Sequence, residues 1–233
     1  MNRWMSGYRL GSVLLVLGNF LLVAALYSWL PDPYPTRMDS SGLAVGFTRK
    51  PVGPFVTPLL TAAALLGMFV FPKLSPKKFR VDKFRRVFDV VYFVSIAASV
   101  SLSTIGVLEV IGIRVPTGMS RLPISLSLLV FGNFLSKTTK NFWLGIRTPW
   151  TLASDEVWLK THRVAGAMFM IAGVVDLATA VAGWNLTLSI IATLVAVAAA
   201  VVASYVFYRR LEHPRRPSVT LPDEAGRNGS GID

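Results

Sequence analysis

Cysteine is absent from this 233-residue chain, and histidine occurs only at His162 and His213. The first absence removes disulfides and thiolate metal sites. The second removes a multi-histidine zinc or haem site within one chain. Charge is scarce as well: 15% of the residues are charged, against about a quarter in a soluble domain. Catalytic motifs are missing too. There is no Gly-x-Ser-x-Gly, no His-Glu-x-x-His, no Walker loop and no Gly-x-Gly-x-x-Gly after a strand. No two deep acids stand where they would share a proton, as an intramembrane aspartyl protease requires. Neither an enzymatic activity nor a cofactor is expected.

What the chain has instead is apolar sequence, 53% of the total, gathered in long blocks. A membrane-spanning helix needs about 20 such residues. Six blocks qualify: Tyr8 to Leu30, Phe55 to Phe71, Val87 to Gly112, Leu122 to Ser136, Val164 to Trp184 and Leu186 to Tyr208. Pro72 is expected to end the second. The fourth is short unless it begins near Met119, with Arg121 snorkelling to the interface. The first is too long for a signal-peptide core and has no small-residue cleavage site after Trp29, so it is expected to be retained. The fold class is therefore all-α, a polytopic six-helix membrane bundle.

Basic residues decide the expected orientation. With both termini cytoplasmic, nineteen of the 24 Lys and Arg fall in inner segments, leaving Arg37, Arg49, Lys50, Arg114 and Arg121 outside. The excess of positive charge on inner loops favours this arrangement. The net charge of +12 thus fits topology and anionic lipid headgroups. It is not accompanied by a nucleic-acid-binding motif, and direct nucleic-acid binding is not expected. The tail from Glu212, rich in Pro, Gly and polar residues, is expected to be disordered.

Between the fourth and fifth blocks, Lys137 to Arg163 is a polar cytoplasmic segment rich in Trp and Arg. Phe142, Trp143 and Trp150 are placed to anchor at the interface. Thr148-Pro149 is an N-cap followed by proline at the first helical position. Ser154-Asp155-Glu156 is a second cap, with acids against the positive helix end, and the helix is expected to run unbroken into the fifth span. Glu156 and Lys160 are spaced for an ion pair, and Trp158 and His162 for ring contact. Arg147 can fork onto a carboxylate, a lipid phosphate or free carbonyls. The segment is either a recognition surface or an interfacial anchor that sets the angle between two spans.

Four polar residues fall within spans: Asn19, Asp89, Glu109 and Asp176. Asp176 is the deepest, and no basic residue is expected at matching depth. Such groups face the bundle interior, as a polar path or peptide-binding cleft or as interhelical hydrogen bonds.

Gly132-Asn133, Asn141, Gly145-Ile-Arg147-Thr148-Pro149-Trp150-Thr151-Leu152, Glu156-Val-Trp158 and Lys160-Thr-His162-Arg163 closely resemble the signature of the SdpI family of bacterial membrane proteins. Leu30-Pro-Asp-Pro-Tyr-Pro35 and Ser41-Gly42 resemble the outer loop of a small membrane domain that often precedes it. Arg37 and Val45 stand where that pattern has His and Asp, so no metal or proton role is carried over to this loop. The resemblance implies residues 1–86 as a two-helix membrane domain with an outer loop at 31–54. It implies 87–211 as an SdpI-like four-helix region, followed by the tail 212–233. It further implies a multi-pass protein of the bacterial cytoplasmic membrane that gives immunity to a membrane-active peptide toxin. The segment around Arg147 to Arg163 would hold a cytosolic repressor. A small transporter or lipid carrier using Asp176, or a scaffold subunit of a larger membrane complex, remain the alternatives.

Overall fold

The computed structural model describes residues 7–38, 44–76, 81–184 and 186–212. Expectations concerning Arg3, Ser41-Gly42, Lys77, Lys78, Arg80 and the tail from His213 lie outside the described residues. Seven α-helices and one β-hairpin account for most of what is described. In chain order they are α1 (Gly7–Leu26), β1 (Tyr34–Met38), β2 (Ala44–Thr48), α2 (Val56–Leu74), α3 (Arg85–Val110), α4 (Thr117–Leu135), α5 (Pro149–Ala153), α6 (Asp155–Val181) and α7 (Thr187–Glu212). All the helices but the short α5 are long and apolar enough to cross a membrane, so the all-α six-span class holds.

One local expectation needs correction, and one element was not foreseen. Pro72 does not end the second span; α2 continues through it to Leu74. A proline in the last turn forfeits only one backbone bond, and membrane helices tolerate that loss. The first loop forms a β-hairpin. β1 pairs antiparallel with β2, Tyr34 opposite Thr48 and Arg37 opposite Gly46, with irregular register around Arg37. Pro35 is tolerated because the sheet has two strands, and so only edges.

Helix α6 lies at the centre of the C-terminal half, packed on both α4 and α7. Its contact with α4 is a seam of small residues. A Cβ added to Gly132 would lie 2.7 Å from the Gly166 carbonyl, and one on Gly118 would lie 2.6 Å from that of Ala180. Gly173 meets the Leu129 side chain and backbone in the same way. On α4 the small residues Gly118, Ser125 and Gly132 recur every seven positions, as do Gly166, Gly173 and Ala180 on α6. Two antiparallel helices with this spacing bring their backbones together, which drives association where lipid offers no hydrophobic gain.

The α6–α7 turn is closed by Gly183 at φ +69. The Trp184 N–H bonds the Thr179 carbonyl and the Gly183 N–H bonds that of Ala180, the double C-terminal closure that needs a left-handed residue. In the N-terminal half, α1 packs on α3. A cluster of Val23, Leu30, Tyr34 and Val107 ties the hairpin to the ends of these two helices. At the opposite end, Met68, Phe84, Phe88 and Val91 pack with Leu144 of the segment before α5.

Candidate functional site

The segment between α4 and α6 is a folded cap. Asn141 is fully buried and uses its whole amide. Its Oδ1 accepts from the Trp143 and Leu144 N–H groups, and its Nδ2 donates to the Thr139 and Leu144 carbonyls. Thr148 caps α5 in a reciprocal box with Thr151, and the Thr151 hydroxyl also donates to the Ile146 carbonyl at 2.9 Å. Ser154 caps α6 by accepting from Val157. Both caps, the continuous helix and the Glu156–Lys160 pair at 3.0 Å stand where the sequence placed them.

His162 is the pin of the cap. Its ring stacks on Trp158 at 3.9 Å between centroids, and both side chains are buried. The Ile146 N–H donates to Nε2 at 3.1 Å, so the neutral ring carries its proton on Nδ1 and donates to the Trp158 carbonyl at 2.8 Å. Trp158 Nε1 reaches the Thr138 carbonyl at 3.0 Å. Gly145 lies against this ring at φ +111, where any Cβ would overlap Nε2. The Gly145…His162 spacing in the signature is thus a steric and hydrogen-bonding fit.

Two of the three expected interfacial anchors prove to be tertiary packing. Trp143 stacks on Phe71 at 4.2 Å and donates to Ser75. Trp150 donates to Ser204 of α7 at 2.8 Å and packs on Tyr205 and Tyr208. Each indole finds a serine hydroxyl as acceptor, Ser75 just past the end of α2 and Ser204 on α7, which satisfies its N–H better than an interface does. Phe142 remains exposed. Lys140 reaches Asp155 at 2.9 Å.

The rest of the signature faces outward. Asn133, Arg147, Pro149, Glu156 and Arg163 are exposed and Lys160 is partly so. Arg147 donates to the Phe142 carbonyl, the backbone option among those open to it. Asn133 accepts from Lys137 at 3.3 Å. With Arg209 and Arg210 exposed near the end of α7, this end of the bundle presents a cationic rim around a stapled core.

The expectation that Asp176 has no basic residue at matching depth is contradicted. Asp176 accepts from Arg121 at 2.7 Å and from Ser125 at 2.6 Å. Arg121 also donates to Thr179, to Ser189 and to the Trp184 carbonyl. Arg121 therefore does not snorkel; it is buried, 7% exposed, where α4, α6 and the α6–α7 turn meet. Asp176 precedes the end of α6 by five residues, about 8 Å along the axis, so it is less deep than its place in the apolar block implied. Asp89 is likewise closed on Arg9, bidentate at 2.9–3.2 Å. Arg9 was expected as a flanking charge and is buried instead. Asn19 is buried with no partner for either amide atom among the described residues. Glu109 is half-buried at the end of α3.

The structure therefore gathers Asn141, Gly145, Thr148, Thr151, Trp158 and His162 into one cap. It leaves Asp176 at the other end of α6, and Asp89, Asn19 and Glu109 in the N-terminal half. Arg121, Ser125, Thr179 and Ser189 were missed from sequence. The signal was present in Arg121 and Ser125, one helical turn apart in a span already marginal for its charge. Among the described residues no group of three or more His, Asp or Glu is placed to hold a metal.

Residues 137–208 match the SdpI/YfhL protein family, a range that includes the signature residues from Asn141 to Arg163. Over 207 residues the chain is 25% identical to the immunity protein SdpI of Bacillus subtilis (strain 168), covering 88% of this chain and 97% of that protein. No solved structure matches significantly. The six spans and this similarity make the chain a multi-pass cell-membrane protein.

Proposed function

We propose that this membrane chain, whose residues 137–208 match the SdpI/YfhL family, is an immunity protein that protects a bacterial cell against a membrane-active peptide toxin. The observation that carries the proposal is end-to-end similarity to an immunity protein, spanning nearly all of that relative rather than the signature alone. No catalysis is involved. The excess of basic residues at the cap end supports an orientation with both termini and the cap in the cytoplasm and the hairpin outside. We take residues 1–86 as the part that presents the hairpin and 87–211 as the part that carries the cap.

The toxin is met on the hairpin face and within the bundle. The cap serves a second role, docking a cytosolic repressor through the exposed Arg147 and Arg163 and the partly exposed Lys160. Charge complementarity with an acidic partner supports this. The buried half of the signature holds those three side chains in register. The alternative of proton-coupled transport through Asp176 is disfavoured by the Arg121 and Ser125 bonds that already occupy its carboxylate. Expression in a host sensitive to a membrane-active bacterial peptide tests the proposal. Survival should rise with protein level; unchanged killing at full membrane expression would refute it. For the docking role, Arg147→Ala should keep protection but lose repressor retention at the membrane.

A further inference from the structure

Beneath the hairpin lies a cavity of about 330 Å3. It is half open and lined by residues 34–36 of β1, by the Gly53-Pro54 turn with the first residues of α2, and by the last turns of α3. Its frame is tightly built. Tyr34 is buried among Val23, Leu30 and Val107, and its ring fills the space that a Cβ at Gly53 would need, 2.8 Å away. Thr36, Thr57 and Ser103 bring hydroxyls to the lining, and Glu109 is the one carboxylate there.

Glu109 differs from the acids discussed above. Asp89 and Asp176 are each closed on an arginine, whereas Glu109 enters no ion pair among the described residues. The cations on this face are engaged or turned outward. The Lys50 ammonium sits over the Tyr27 ring at 4.9 Å, the Arg37 stem lies against Gly46, Arg121 is paired with Asp176, and Arg49 and Arg114 are exposed. A half-buried carboxylate at the end of a span is costly without a counter-ion. A cation brought to it is held more strongly than in water. The cavity volume is at the lower end of ligand pockets, about 300–1,000 Å3, room for one side chain or terminal amine and not for a folded peptide.

Resting on the immunity proposal, we infer that this cavity binds an ammonium or guanidinium group of the peptide toxin, with Glu109 as its counter-ion. Toxin recognition then has one fixed polar point under the hairpin, and the remainder of the peptide lies along the bundle.

The test uses the full chain in phosphatidylcholine nanodiscs and two probes: N-acetyl-Ala-Lys-Ala-amide and the same peptide acetylated on the lysine Nζ. Saturation-transfer NMR should give at least a fivefold stronger signal for the free-lysine peptide. That difference should vanish in Glu109→Gln, persist in part in Glu109→Asp, and be unchanged in Leu194→Ala on the exposed face of α7. Equal signals from both probes, or full binding by Glu109→Gln, would overturn the site. The same variants are then scored for protection of a toxin-sensitive host. Wild-type protection lost in Glu109→Gln at equal membrane level supports the inference, and protection retained in that variant overturns it. Selective lysine binding by a wild type that gives no protection would remove the immunity assignment and leave the cation site standing.

Discussion

At Gly145 two demands meet on one residue: a backbone at φ +111 and the absence of any side chain beside the His162 ring. Gly145→Ala is therefore expected to destabilise the cap, by about 1–3 kcal/mol from the backbone alone. Part of the cost is steric against His162, so the same substitution in a His162→Ala background should cost less than in the wild type. Proteolysis of the 137–154 segment in detergent reads both effects; strictly additive losses would show that ring and glycine do not interact. Trp158→Phe removes the indole bond to the Thr138 carbonyl and leaves that acceptor buried, a loss of about 1–3 kcal/mol. The exposed residues behave differently. Lys160→Ala breaks only a surface pair with Glu156, worth under about 1 kcal/mol, and should leave thermal stability in detergent unchanged.

Where α4, α6 and α7 meet, the seam and the ion pair act together. Gly132→Ala forces the α4 and α6 backbones apart and should cost about 1–3 kcal/mol as overpacking. Asp176→Asn keeps the shape but leaves Arg121 as an uncompensated buried charge, a loss of about 3–5 kcal/mol. Replacing both partners, Arg121→Met with Asp176→Leu, should restore much of that stability. Unfolding midpoints in mild detergent check the cycle, and a double variant as weak as Asp176→Asn alone would count against a structural pair. These features also mark where the sequence was legible. Helix existence followed from apolar length, and the Thr148 and Ser154 caps followed from local chemistry, because each cap is made within four residues of chain. The small-residue seam repeats every seven positions on two separate helices, and only their antiparallel pairing turns it into a contact. Arg121 and Arg9 were misplaced for a related reason. Charge near the end of an apolar block reads as a flank until the facing helix shows a carboxylate at the same level. Trp143 and Trp150 were likewise taken for lipid anchors because Ser75 and Ser204, far along the chain, gave no sign of being their acceptors.

Across the whole molecule the two ends of the bundle differ in chemistry. The cap end carries the cationic rim and the stapled signature; the other end carries the hairpin, the Glu109 cavity and the Arg121–Asp176 pair. Arg9 and Arg121 are neutralised in buried pairs, so neither counts as free flanking charge. Of the nineteen basic residues that the sequence assigns to inner segments eighteen remain, and of the five it assigns outside four remain. The asymmetry on which the proposed orientation rests survives. Protection from a peptide arriving outside requires the hairpin to face it, and repressor docking requires the cap to face the cytosol. Because the chain has no cysteine, single substitutions report this without background. In intact cells, Val45→Cys on the exposed hairpin should react with a membrane-impermeant maleimide, whereas Arg147→Cys should react only after permeabilisation. Labelling of Arg147→Cys in intact cells, with Val45→Cys protected, would contradict the account.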